Sequence, residues 1–131
     1  NVNTEIPLDS EHLDSDGAYN TSTGRFTPGV AGFYFCYALF RFDVATTVGT
    51  HNIQIRRNGV QRNFVHQTSG ASGAEQRQIS DLIYCDADDY ISLYGRLAQG
   101  SNQVINGEAL AGNGEPGATA ARLVCFRVSG V

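Results

Sequence analysis

The run GFYFCYALFRF, from Gly32 to Phe42, departs from the alternation that an ordinary antiparallel strand shows. Successive side chains of a strand point to opposite faces, so a half-buried strand reads apolar, polar, apolar. Here Phe33, Phe35, Tyr37 and Leu39 fall on one face, and Tyr34, Cys36, Ala38, Phe40 and Phe42 fall on the other. A strand over this run has no face left for water. Two further segments share this character, YISLYGRL around Leu93 and ATAARLVCFRVSGV around Val124. As neighbours in one sheet, the three strands would bury one face in a core and need cover on the other. A chain of 131 residues has no spare sheet to supply it, so a partner subunit is the economical cover. The pattern leaves open which of Tyr34 and Phe35 points toward the partner.

The rest of the chain reads as short strands joined by turns. Ile53 and Ile55 alternate with Gln54 and Arg56 ahead of Asn58-Gly59, and VQRNFVHQ follows. This predicts a hairpin, because both central residues of that turn need positive φ. Residues 1–13 read as a short strand plus connection, and DSDGAYNTSTGRFT carries turn signals at Asp16-Gly17 and Thr23-Gly24. ISDLIY and YISLYGRL read as two strands around an acidic hairpin turn, CDADD. The polar, Gly/Ser-rich residues 68–78 read as a surface loop, and residues 98–118 as a long irregular run with one short strand from Gln103 to Asn106. About eight to ten short strands without a sustained helical period predict an all-β sandwich or jelly roll, in a single domain over residues 1–131.

Composition narrows the function classes. With 41% hydrophobic and 17% charged residues the chain can bury a real core. The net charge of −4, without a basic stripe, argues against nucleic acid and anionic membranes. No window approaches the roughly 18 apolar residues that span a bilayer, so no membrane insertion is expected. The sequence starts at Asn1 rather than Met and lacks a basic-plus-apolar leader pattern, so a piece of a longer chain is expected. All nine positive charges are Arg, which fits lineage bias or a need for planar, bidentate pairing.

Cys36, Cys85 and Cys125 are too few and too odd in number for a disulfide framework, and all three sit in apolar, strand-like context. They read as buried free thiols that pack as small hydrophobes, and they suggest assembly in a reducing compartment. His12, His51 and His66 are dispersed and read as lone surface histidines, with no neighbouring nucleophile for a triad. A cupin-like jelly-roll enzyme would need His and carboxylate ligands clustered on core strands. His51 is followed by Ile53 with no second His nearby, so no catalysis and no cofactor are expected.

The order and spacing of these blocks resemble the C1q globular-head domain of the tumour necrosis factor-like superfamily. YNTSTGRFTPGVAGFYF is similar to that family's Tyr-Asn…Thr-Gly-x-Phe-Thr…Gly-x-Tyr-x-Phe pattern at Tyr19, Asn20, Thr23, Gly24, Phe26, Thr27, Gly32 and Tyr34. IQIRRNGV resembles the strand with Asn-Gly before its turn, and SDLIYCDADDYISL the Ser…Leu-x-x-Gly-Asp-x-Val segment, with Asp89 and Ile91 at the Asp and Val places. Cys36 stands where the family usually has Phe, Cys85 and Asp88 where it has Leu and Gly, and Pro28 comes one residue early. LVCFRVSGV follows the family's Phe-Ser-Gly-Phe ending only loosely, so the chain looks like a remote member.

The resemblance implies a jelly roll of about ten antiparallel strands that assembles as a homotrimer, usually at the end of a collagen-like or other fibrous stalk. It also implies that the three strands around Tyr37, Leu93 and Val124 lie in the sheet nearest the three-fold axis. The expected interface or core residues are Phe33, Tyr34, Phe35, Tyr37, Phe40, Leu93, Tyr94, Leu123 and Phe126. Some family members bind calcium, and Asp86, Asp88 and Asp89 cluster as its candidate ligands, although acids also favour solvated hairpin turns. Asn20-Thr21-Ser22 fits the glycosylation pattern and equally a turn. Ligand contact is expected on loops, with Gln67, Ser72, Gln76, Asn102, Asn106 and Asn113 able to hydrogen-bond sugar hydroxyls or a protein surface; Tyr90 and Tyr94 are weaker candidates for stacking on a sugar. The expected function is a non-catalytic trimeric recognition or adhesion head for a cell-surface protein or glycan. Its expected place is extracellular or on a virion, at the tip of a phage or viral fibre. The alternative is a structural decoration or trimerisation module without a ligand.

Overall fold

The computed structural model describes residues 3–8, 14–44, 49–69, 73–98 and 121–129. Nine strands run through them: β1 (Thr4–Glu5), β2 (Tyr19–Asn20), β3 (Arg25–Phe26), β4 (Gly32–Val44), β5 (Gly49–Arg57), β6 (Val60–Ser69), β7 (Gly73–Cys85), β8 (Ile91–Ala98) and β9 (Arg122–Ser129). All pairing between them is antiparallel. One sheet has the order β2-β3-β8-β5-β6, with β1 also on β8, and the other has the order β7-β4-β9. The two face each other as a jelly-roll sandwich.

The core answers which side of β4 builds the protomer. Tyr34, Cys36, Ala38 and Phe40 are buried and meet Ile53 and Ile55 of β5, Ile79, Ile83 and Cys85 of β7, and Ile91 and Leu93 of β8. Phe26 packs edge-on to Tyr34 with ring centroids 5.8 Å apart, and the Tyr34 hydroxyl donates to the Val30 carbonyl at 2.7 Å, so its polar end is satisfied. The N-terminal segment closes this core along β8. Ile6 donates to the Leu93 carbonyl at 2.8 Å, and a Cβ on Gly95 would stand 2.7 Å from Ile6 Cδ1. Glycine at position 95 therefore leaves room for the isoleucine. Further along, the Tyr19 hydroxyl both accepts from the Leu8 amide and donates to its carbonyl, each at 3.1 Å.

Asn58-Gly59 makes the two-residue hairpin turn that the sequence announces, with φ of 51° and 76°. Several expectations change. The strand around Leu93 is not a neighbour of those around Tyr37 and Val124: β8 lies in the six-stranded sheet, and β7 takes its place beside β4. Accordingly CDADD does not turn a hairpin but carries the chain from one sheet to the other. The surface loop expected at residues 68–78 shrinks, because β6 runs on to Ser69 and β7 begins at Gly73. Pairing with the whole length of β4, down to Val44 opposite Gly73, outweighs the weak strand propensity of Gly and Ser. His51 is 1% exposed rather than a surface residue, since the alternation of β5 puts it on the same face as Ile53 and Ile55. His12 and the strand expected from Gln103 to Asn106 lie outside the described residues.

Phe40 has no exposed surface. Phe40→Ala should cost about 3–5 kcal/mol of unfolding free energy, measurable by denaturant titration, with no comparable loss for Phe126→Ala on the opposite face.

Candidate functional site: an apolar outer face on the three-stranded sheet

The odd positions of β4 point away from the core, and the register of its neighbours extends them into a continuous face. Phe33 lies opposite Tyr84, and Phe35 lies between Leu82 on β7 and Phe126 on β9. Tyr37 lies between Ser80 and Val124. Phe33 and Tyr84 meet edge to face at 5.4 Å, and the rings of Phe35 and Phe126 lie tilted to each other at 5.3 Å. Five large apolar side chains of this face stay exposed in the protomer: Leu82 by 53%, Phe126 by 52%, Val128 by 56%, Val124 by 43% and Phe33 by 37%. Exposure of this extent on contiguous strands marks an interaction surface rather than scattered surface residues. The face grows polar away from Gly32, where the Tyr37 hydroxyl donates to Gln78 Oε1 at 3.2 Å. Arg127 lies opposite Tyr34 rather than on this face, and donates to the Ala31 carbonyl at 2.8 Å.

The expected interface or core residues thus separate. Tyr34, Phe40 and Leu93 are core, and Leu123 packs partly buried against it. Phe33, Phe35, Tyr37 and Phe126 belong to the outer face. Tyr94 belongs to neither, because it lies on the outer side of the six-stranded sheet. There Arg56 covers its ring at 4.0 Å and Glu5 accepts from its hydroxyl at 3.3 Å. Arg25 covers Tyr90 at 4.2 Å while pairing with Glu5 at 3.1 Å. Both tyrosine rings that could have stacked on a sugar are occupied by guanidinium groups of their own chain. Leu82, missed in the sequence, becomes legible only once β7 rather than β8 is known to flank β4.

The aspartate cluster has a structural use. Asp89 accepts from the Asp86 amide at 2.9 Å and from the Asn58 side-chain amide, and Arg57 stands 3.7 Å from its carboxylate. Asn58 returns the contact, accepting from the Tyr90 amide at 2.9 Å and donating through its own amide to the Tyr90 carbonyl. The turn between β7 and β8 is thereby fastened to the hairpin between β5 and β6. Asp86 and Asp88 are exposed, and among the described residues no three His, Cys, Asp or Glu side chains converge as a metal site. Asn20 likewise serves its turn, its Oδ1 accepting from the Ser22 amide at 2.9 Å. Gln67 and Gln76, expected on a ligand loop, are strand positions in β6 and β7. Ser72, Asn102, Asn106 and Asn113 lie outside the described residues.

Comparison with known proteins agrees with this architecture. A family model described as the C1q domain matches residues 1–109. The chain belongs to the C1q domain family. Among solved structures it is similar to Eiger TNF from S. frugiperda, with a TM-score of 0.63 at 9% identity, covering 99% of this chain and 86% of that one. That likeness establishes a shared fold. No curated protein sequence matches the chain. C1q and TNF-like domains are typically non-enzymatic, extracellular or secreted, and generally form homotrimers. No helix among the described residues is long and apolar enough to cross a membrane.

Donors around Asp89, first the Asp86 amide and then the Asn58 side chain, hold its carboxyl below the ordinary value of 3.8. A carboxyl lowered on folding stabilises the fold above its unfolded pKa, and that contribution is lost as pH falls through the folded value. Asp89→Asn should therefore lower the urea midpoint at pH 7, and the gap from wild type should close as the pH falls through the lowered folded value, below which Asp89 is protonated in both states.

Proposed function

We propose that this C1q-family chain is a non-catalytic, homotrimeric recognition head, and that the β7-β4-β9 face is where its three copies meet. The observation that carries the reading is the exposed row of Phe33, Leu82, Val124, Phe126 and Val128, backed by a sandwich core that already uses the other side of the same sheet. A three-fold arrangement brings the same face of each copy toward a common axis and removes these side chains from water. Burying them contributes roughly 25 cal/mol for each Å² of apolar surface. The polar end of the face, with Tyr37 and Gln78, supplies the rim that tolerates residual water.

Receptor contact falls to the surfaces the trimer leaves free. The Gly-, Asn- and Gln-rich segments that carry Ser72, Asn102, Asn106 and Asn113 have the hydrogen-bonding groups for a glycan or a cell-surface protein. We place the head at the tip of a fibrous or surface protein, extracellular or on a virion or phage fibre. The acidic net charge of −4 suits neither nucleic acid nor an anionic membrane as partner.

Light scattering tests the assembly. Wild type should scatter as three chains of 14.1 kDa, and Leu82→Asp or Phe126→Asp should give a folded monomer with the circular dichroism of wild type. Tyr34→Asp, on the core face, should lose the fold itself. A wild-type protein that stays at 14.1 kDa across micromolar concentrations overturns the trimer. A glycan array and a panel of cell-surface ectodomains test recognition: saturable binding lost on monomerisation supports the head, and silence on both assigns the chain a structural role.

A further inference from the structure

Two core-facing thiols form a pair that the trimer reading does not use. Cys36 lies in β4 and Cys125 in β9, and the register sets them directly opposite each other. Their sulfur atoms are 3.4 Å apart. Directly opposed residues of antiparallel strands hold their Cα atoms roughly 4.5–5.5 Å apart, inside the ~4.4–6.8 Å span over which disulfides form. Closing the remaining gap to about 2.05 Å takes side-chain rotation, not movement of either strand. Cys85 has no such partner, because it lies opposite Gly32. Cys36 is fully buried, whereas Cys125 is only partly buried on a strand at the edge of its sheet. Local opening of this edge strand therefore exposes the Cys125 thiol to a reagent before that of Cys36.

We propose that Cys36 and Cys125 close a cross-strand disulfide when the folded protein meets a small-molecule disulfide oxidant such as oxidised glutathione. The Cys125 thiolate attacks one sulfur of the oxidant, forming a mixed disulfide and expelling one thiolate. Cys36 then gives up its proton to solvent and attacks the Cys125 sulfur, forming the protein disulfide and releasing the second thiolate. Two protein thiols are oxidised and one external disulfide is reduced to two thiols. The bond fastens β9 to β4 after folding is complete. Its effect reaches the outer face, because Val124 and Phe126 flank Cys125 on the opposite side of the same strand. The hydrogen bond to Cys36, together with burial, keeps the Cys125 thiol well above its ordinary pKa, so few molecules are thiolate at neutral pH and the exchange is slow.

The test is to incubate the folded, reduced protein with oxidised glutathione in mild alkali for a day, trap remaining thiols by alkylation, and read intact mass, peptide map and melting temperature. A mass lower by two hydrogen atoms is expected, with a cross-linked peptide joining Cys36 to Cys125. A rise in melting temperature on the order of 10 °C, reversed by dithiothreitol, should accompany it. Cys85→Ser should behave as wild type, and Cys125→Ser should melt cooperatively yet show no mass loss. A persistent glutathione adduct on Cys125, a bridge that includes Cys85, or an unchanged mass in protein that still melts cooperatively overturns the proposal.

Discussion

A single strand, β4, imposes the constraint on which the architecture depends. It is the middle of three, so both its edges are hydrogen-bonded, and it is apolar on both faces. One face is resolved inside the protomer, where Tyr34, Cys36, Ala38 and Phe40 close against the six-stranded sheet. A two-layer sandwich has no third layer for the other face. The flanking strands then enlarge the difficulty rather than relieve it, since exact register sets Leu82 and Phe126 on either side of Phe35 and places Tyr84 beside Phe33. What is a local oddity in the sequence becomes a broad apolar surface because the neighbours repeat it.

The outer side of the other sheet meets the same problem differently, and the contrast argues for which surface assembles. Gln54 is 3% exposed there and hydrogen-bonds the Asn3 side chain and Arg56. Tyr94 and Tyr90 lie under guanidinium groups, and Glu5 ties Arg25 and Tyr94 together. The N-terminal segment thus acts as a polar clasp over its own sheet. That surface is largely covered within one chain, with Phe64 on β6 left 51% exposed beside Gln54, whereas the β7-β4-β9 surface leaves a row of exposed apolar side chains.

Much of this was legible in the sequence, and the part that was not has a physical cause. The two-faced character of β4 and the Asn58-Gly59 hairpin follow from side-chain periodicity and backbone sterics, both local. Which strand lies beside β4 does not. β7 and β8 are consecutive, and a pattern read along the chain joins them as a hairpin; only the sandwich, which sends these two to opposite layers, separates them. The same non-local pairing extends β6 and β7 into residues whose composition reads as loop. Asn58 shows the limit most clearly. Its positive φ was foreseeable from the turn, but its bonds to Asp89 and Tyr90 depend on a second turn more than thirty residues away arriving at the same place.

The exclusive use of Arg also takes on a physical meaning once positions are known. Arg25 pairs with Glu5 through two nitrogens, at 3.1 and 3.4 Å, while its plane lies on Tyr90. Arg56 lies on Tyr94 and donates at once to the Gln54 side chain and the Gly59 carbonyl. Arg57 bridges the Tyr84 carbonyl and Asp89, and Arg127 reaches the Ala31 carbonyl. Positions 25, 56 and 57 each ask one side chain to stack and donate in plane, or to span two acceptors, which a planar fork does and an ammonium on a flexible stem does not. Lineage bias would fill the surface with Arg without regard to partners. At these three positions the guanidinium is selected by its contacts, which tie together turns and sheet edges rather than the apolar stretch around Phe35.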